Sequence, residues 1–343
     1  MEAMTQEIQP GLLTRRNFLA GGALALAGAG FGAWWWQRQI ADVFVARAAS
    51  YEADLGATLA AGFAELGLSG EWLKGKAVLL KPNLVEPSAV APHINTHPRF
   101  VQAVADAFRR AGARKVVVAE GQGHVRDTEL VLDLSGLRGI LDEARLPFVD
   151  LNHDVVTPVP NALGLTGHKR LYLPRAVLEA DLVVSLPKMK THHWVGATLA
   201  MKNLFGVLPG MVYGWPKTPL HQAGIEKSIL DINATVAPQL AIVDGIVGME
   251  GDGPIMGEPK GMGLIVMGTN FPAVDATCCR LMGIAPERVK YLQMAAGRLG
   301  PIQEHWIRQR GESLSGLVKP FRLLPHWEKE ISAVASGAML ATG

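Results

Sequence analysis

The sequence predicts an α/β protein with a mainly parallel sheet flanked by helices and an N-terminal signal or anchor helix ahead of it. Three observations carry this. Short apolar runs alternate with helical segments between about residues 77 and 282, the order that builds a parallel sheet with crossover helices. The run 181–186, DLVVSL, is apolar almost throughout, as expected of a strand covered on both faces. The first 36 residues place Arg15 and Arg16 before Phe18 and a glycine- and alanine-rich apolar stretch, the pattern of a twin-arginine export signal.

That opening segment sets the expected address. Export by this route delivers the protein folded to the periplasm, with the twin-arginine machinery as a partner. Ala25, Ala27 and Ala29 allow cleavage, whereas Trp34, Trp35, Trp36 and Arg38 resemble the interfacial belt of an uncleaved span tethered to the inner membrane. Residues 37–75 read as a helical lead-in, alanine-rich with helically spaced apolar residues and stopped by glycines at 67 and 70.

Residues 76–300 read as the α/β domain. A strand over 77–80 runs into Lys81-Pro82-Asn83, a helix spans 97–111, and a second strand spans 115–120. A helix over 135–144 leads to a strand over 147–151; the proline- and glycine-punctuated stretch 152–167 reads as loop with some strand character. A short strand over 170–173 and a helix over 174–179, opened by a proline tolerated in the first turn, precede the strand 181–186. Helix 225–236, strands 239–249 and 263–268, and helix 271–282 complete it, and residues 301–343 read as a peripheral tail.

Composition narrows the function. The 343 residues are 49% hydrophobic and 19% charged with a net charge of +2, which excludes a disordered chain and gives no field for nucleic acid. Cys278 and Cys279 are adjacent in a predicted helix, where neighbours point apart. They form neither a disulfide framework nor the ligand set of a cysteine-bound iron-sulfur cluster.

The chemistry concentrates at strand ends, where open α/β sheets bind ligands. Behind the strand 181–186 the chain reads KMKTHHWVGATLAMKNLFGVLP. On an extended backbone Lys188, Lys190 and His192 point one way, and with Lys81, Asn83, Lys202 and Asn203 they form a binding set for a small phosphate- or carboxylate-type anion. Asp244, Glu250 and Asp252 alternate with glycines and offer either oxygen ligands to a divalent metal, without EF-hand spacing, or acceptors for ligand hydroxyls. His192 and His221 are candidates for acid-base work, and His192, His193 and His221 also invite a metal reading that lacks the rest of its ligands. Asp275 is either a buried catalytic acid or a helix-start carboxylate favoured by the dipole.

These residues also carry a resemblance. KPNLV at 81–85, VVVAEG at 116–121, ADLVVSLPKMKTHH at 180–193, MKNLFGVLPG at 201–210, His221, DGIVGMEGDGPIMGEP at 244–259 and PAVDATCCRLMGI at 272–284 are together similar to the family known as domain of unknown function 362. The resemblance implies the fold and a set of characteristic positions, but not an activity. Many relatives carry ferredoxin-like cysteine motifs, which this chain lacks. The expectation is thus an exported protein with an anion-binding strand-end cleft. Its alternative is a non-catalytic binding or maturation factor for a periplasmic redox enzyme, with that enzyme as partner.

Overall fold

The computed structural model describes residues 40–124 and 127–333. The expected signal or anchor over 1–36 lies outside the described residues, as does the end of the tail. Among the described residues no helix is long and apolar enough to cross a membrane.

Twelve strands are described: β1 Ala41–Arg47, β2 Ala77–Pro82, β3 Lys115–Glu120, β4 Phe148–Asp150, β5 Val156–Pro160, β6 Arg170–Pro174, β7 Leu182–Leu186, β8 Lys188–His192, β9 Gly196–Thr198, β10 Leu240–Glu250, β11 Glu258–Gly268 and β12 Ile307–Gly311. The main sheet is mixed with mostly parallel strands, in the order β12-β1-β11-β10-β7-β2-β3-β4; β8 pairs with β10 and β9, and β5 and β6 form a separate hairpin. Alternate side chains enter opposite cores. Leu79, Val183 and Val243 join the layer packed by the helices Ile225–Val236 and Phe271–Leu281. Leu80, Val184 and Ile242 join the layer packed by Leu55–Glu65 and Pro98–Arg110. Each fully buried valine or leucine contributes roughly 1.5–3 kcal/mol.

Three departures from the sequence reading have physical causes. The helical lead-in contains β1, because ADVFVAR alternates with period two: Val43 and Val45 enter one core and Phe44 the other. The helix begins only at Leu55, where the Asp54 side chain accepts the Ala57 N–H at 2.9 Å. The tail is not wholly peripheral, since β12 lies parallel to β1 and Asp42 pairs with Arg308 and Arg310 at 2.6 and 2.7 Å. β10 and β11 are antiparallel, joined by the glycine-rich stretch 251–257, too short for the crossover a parallel pair needs.

The strand order positions the site. From β2 the chain moves outward to β3 and β4, then returns through the β5-β6 hairpin to β7 on the other flank of β2. Successive connections therefore diverge between β2 and β7, and a crevice opens at the carboxyl ends of these strands. Pro187, with no N–H to donate, ends the β7 ladder. Its carbonyl accepts the Asp244 N–H at 2.9 Å, and β8 continues between β10 and β9, off the main strand path.

Candidate functional site

A cavity of about 200 Å³ sits at this crevice. Its walls include Lys81 near the end of β2 and Asn83 just after it, Glu120 at the end of β3, Lys190 and His192 on β8, and Lys202 and Asn203 beyond β9. Phe205, Lys217, His221 and Trp194 complete the parts that matter chemically. The volume falls below the ~300–1,000 Å³ of drug-sized sites, so the cavity suits a small molecule.

Four lysines share this space with one carboxylate, Glu120. A lysine ammonium has three N–H bonds to place. Lys81 spends all three, on Glu120 Oε2 at 2.7 Å, the Pro82 carbonyl at 2.8 Å and Asn203 Oδ1 at 3.1 Å. The Glu120 oxygens are equally engaged, accepting the N–H groups of Leu84 and Gly121 at 3.0 and 2.9 Å. The polypeptide closes over this pair at Gly206, where a Cβ would come within 2.6 Å of Lys81 Nζ.

The other three are unsaturated. Lys190 donates to the Ile94 and Pro254 carbonyls at 2.9 and 3.2 Å, and Lys217 to the Gly121 and Phe205 carbonyls at 2.6 and 3.0 Å. Each keeps one N–H. The Lys202 ammonium has no hydrogen bond or ion pair to a described residue; it stands 4.0 Å from the centre of the Phe205 ring, a weak cation-π contact that leaves its donors free. Burial, reinforced by the charge of Lys81, pulls Lys202 down to about 7. Burial also brings Lys217 to about 7 and holds Lys190 well below the ordinary lysine value, with Lys188 and Lys202 adding to the latter.

Of the four histidines in the lining, His192 and His221 are held by backbone in opposite tautomers. His192 Nδ1 accepts the Trp194 N–H at 3.0 Å, so the neutral ring carries its proton on Nε2. His221 Nδ1 lies 3.1 Å from the Lys217 carbonyl, which can only accept; its Nε2 therefore presents a lone pair. Burial first and the Lys202 charge second keep both rings neutral, with His221 at about 4.

Two buried polar atoms of the lining have no partner. Asn203 donates to the Lys81 carbonyl at 3.1 Å and to Ser185 Oγ at 3.0 Å, so its oxygen faces Lys81 and also accepts Asn83 Nδ2 at 3.2 Å. This orientation leaves Asn83 Oδ1 orphaned, and Thr198 Oγ1, on another residue of the lining, is orphaned as well. An unpaired buried polar atom costs about 1–3 kcal/mol; a ligand carrying a hydroxyl or amine donor would remove that cost.

The remaining sequence-predicted residues are placed elsewhere. Lys188 is not in the cavity lining: it pairs with Asp244 at 2.6 Å, both side chains fully buried, with Tyr51 hydroxyl 3.1 Å from its ammonium and 2.9 Å from the carboxylate. The β8-β10 register is irregular between Asp244 and Met249, so Lys188 and Lys190 do not act as one regular strand face. Asp244, Glu250 and Asp252 do not share a ligand shell. Glu250 pairs with Lys260 at 3.0 Å and accepts the Arg322 N–H, and Asp252 lies 3.5 Å from His193. Among the described residues no three histidine, cysteine or acidic side chains are grouped to hold a metal ion.

Asp275 stands outside the cavity lining as well. It accepts the N–H groups of Ala200 and Met201 at 2.7 and 3.1 Å and the Tyr291 hydroxyl at 3.2 Å. Burial raises it to about 7. It anchors the short helix Ala200–Asn203 that presents Lys202 and Asn203, a positioning role. Cys278 and Cys279 are buried free thiols, pushed well above the ordinary value by burial.

Sequence reasoning did not select Lys217 or assign a role to Glu120. Glu120 ends an apolar strand, so the strand-end rule covers it. Lys217 sits between Pro216 and Thr218 with φ of 66°, a left-handed conformation that sequence does not announce for a lysine.

The model of the family described as "Domain of unknown function (DUF362)" matches residues 78–280. A protein named thylakoid-associated, from Synechocystis sp., is 30% identical over 269 residues, covering 76% of this chain and 80% of its own. Among solved structures, the lactate racemase apoprotein from Thermoanaerobacterium thermosaccharolyticum is similar at a TM-score of 0.39 and 13% identity, over 62% of this chain and 52% of that one. A crystal structure of a Thermotoga maritima protein is similar at 0.36 and 12%, over 68% and 59%. This chain thus spans about half the length of the racemase. At such scores neither likeness speaks to what the cavity holds.

Proposed function

This chain belongs to the DUF362 family, and we propose that its strand-end cavity binds a small molecule bearing a phosphate or carboxylate together with a hydroxyl or amine. The observation that carries this is Lys202, whose cavity-facing ammonium has no counter-charge among the described residues while its neighbours Lys190 and Lys217 each keep a spare donor. A cation held out of water without a partner is costly, and an incoming anion supplies the missing charge. Lysine offers point charges without fork geometry, which suits either acid group. The orphaned Asn83 Oδ1 and Thr198 Oγ1 receive the ligand's donor.

The reading assigns no role to a divalent metal, because Asp244 and Glu250 are each committed to a lysine and Asp252 to His193. It gives His221 Nε2 the part of base and His192 Nε2–H the part of donor, the division their backbone partners impose.

Trp194 is 57% exposed at the lining and serves as a fluorescent reporter. Inorganic phosphate is expected to change its emission with saturation, and Lys202→Ala to weaken binding about 10- to 100-fold, the worth of a hydrogen bond to a charged group. Unchanged affinity in that variant would remove the reading.

The same proposal places the protein beyond the cytoplasm, on the strength of Arg15, Arg16 and the apolar run behind them. The name of the Synechocystis relative is in keeping with delivery to a membrane compartment. Changing both arginines to lysine is expected to retain the protein in the cytoplasmic fraction; normal fractionation of that variant would count against export by this route.

A further inference from the structure

Among the lysines at the cavity, Lys202 stands apart because its nitrogen is unspent. Lys81 commits three N–H bonds, and Lys190 and Lys217 two each. Lys202 has none committed among the described residues and stands over Phe205 in a half-buried position. Nucleophilic lysines are amines in apolar surroundings beside another cation. Phe205 and Lys81 supply those two conditions.

We propose that Lys202 condenses with the carbonyl carbon of a small oxo acid to form an imine in this cavity. The inference rests on the anion-binding reading, since the acid group would be held by the spare donors of Lys190 and Lys217. The step balances without an oxidant or reductant. The Nζ–C bond forms, the carbonyl C–O bond breaks, and both protons of the neutral amine end on the departing oxygen as water.

The lining contains groups suited to each stage. His221 Nε2 carries a lone pair because Nδ1–H is held by the Lys217 carbonyl, so it can take each proton from nitrogen and return it to oxygen. His192 Nε2–H, fixed by the Trp194 N–H on its other nitrogen, donates to the oxygen as it gains negative charge. The unpartnered Thr198 Oγ1 and Asn83 Oδ1 serve the hydroxyl that follows. Burial, with Lys81 nearby, holds Lys202 at about 7, so a substantial share of the amine is uncharged at neutral pH. The charge of Lys202 bears on both histidines, which places the three groups within electrostatic reach of one another.

The purified full-length chain is incubated at neutral pH with limiting glyoxylate or pyruvate and sodium cyanoborohydride, then analysed by intact mass and peptide mapping. The expected result is a single stable adduct on the peptide carrying Lys202. It is expected to be lost in Lys202→Arg, which keeps the positive charge but has no primary amine to condense. Wild-type protein that binds phosphate but gives no adduct, or an adduct spread over surface lysines and undiminished in Lys202→Arg, overturns the imine alone. Wild-type protein that binds neither phosphate nor the oxo acids overturns both readings.

Discussion

Lys188 and Lys202 belong to one short, lysine-rich segment and meet opposite fates. Lys188 is buried against Asp244 at 2.6 Å with Tyr51 alongside, and its ammonium does no more than hold β8 to β10. Lys202 is only half-buried, yet no described residue answers its charge. What separates the two is the carboxylate: Lys188 has Asp244 against it, and Lys202 has no acidic partner among the described residues. Lys81 repeats the lesson within the cavity wall, where Glu120 and two oxygens use up every proton it has.

The largest effects are expected on the architectural side. Lys188→Met leaves the Asp244 carboxylate buried without its partner and is expected to cost about 3–5 kcal/mol of stability, measured by denaturant unfolding. Adding Asp244→Leu should recover much of that loss, because two apolar side chains replace the pair. If the single variant unfolds like the wild type, the division between the two lysines breaks. On the functional side, Lys202→Met removes a partly desolvated charge and should leave stability unchanged or improved near neutral pH.

A smaller effect sharpens the comparison by pH. Lys202 is depressed from the ordinary lysine value of 10.5 to about 7, so its charge is present below that value and lost above it. Sulfate, whose charge is constant over this range, is expected to bind most tightly below pH 7 and to weaken by up to about tenfold per unit above it. The ligand-free stability follows the opposite sign. A depressed group binds fewer protons in the folded state, so its contribution is greatest above the unfolded value near 10.5 and is lost as pH falls through about 7. A flat sulfate affinity from pH 6 to 9 would show that the charge does not titrate there.

Much of this was legible because strands alternate and end abruptly. Lys81, Asn83, Lys190, His192, Lys202, Asn203 and His221 all line the one cavity, and six of them follow directly from strands or from the polar stretch behind β7. Lys188 left the group because Pro187 breaks the ladder and the β8 register slips against β10. The carboxylates near 250 face Lys260, Arg322 and His193 instead of the cavity, since alternation along a hairpin does not say which cations wait on either side. β1 and β12 escaped because their partners are distant in sequence: Val43 lies opposite Gly268 on one side and Gln309 on the other. Lys217 was invisible for a related reason, as only the folded loop brings it under Gly121 and Phe205.

The claim on which these contrasts depend is that Lys202 is an unanswered cation in a desolvated cavity. Its titration can be followed by NMR on reductively ¹³C-methylated protein, with Lys202→Arg assigning the resonance. A midpoint near 7 in the ligand-free protein, moving upward when inorganic phosphate is added, is the predicted result. A midpoint at the ordinary lysine value, unmoved by phosphate, would contradict it.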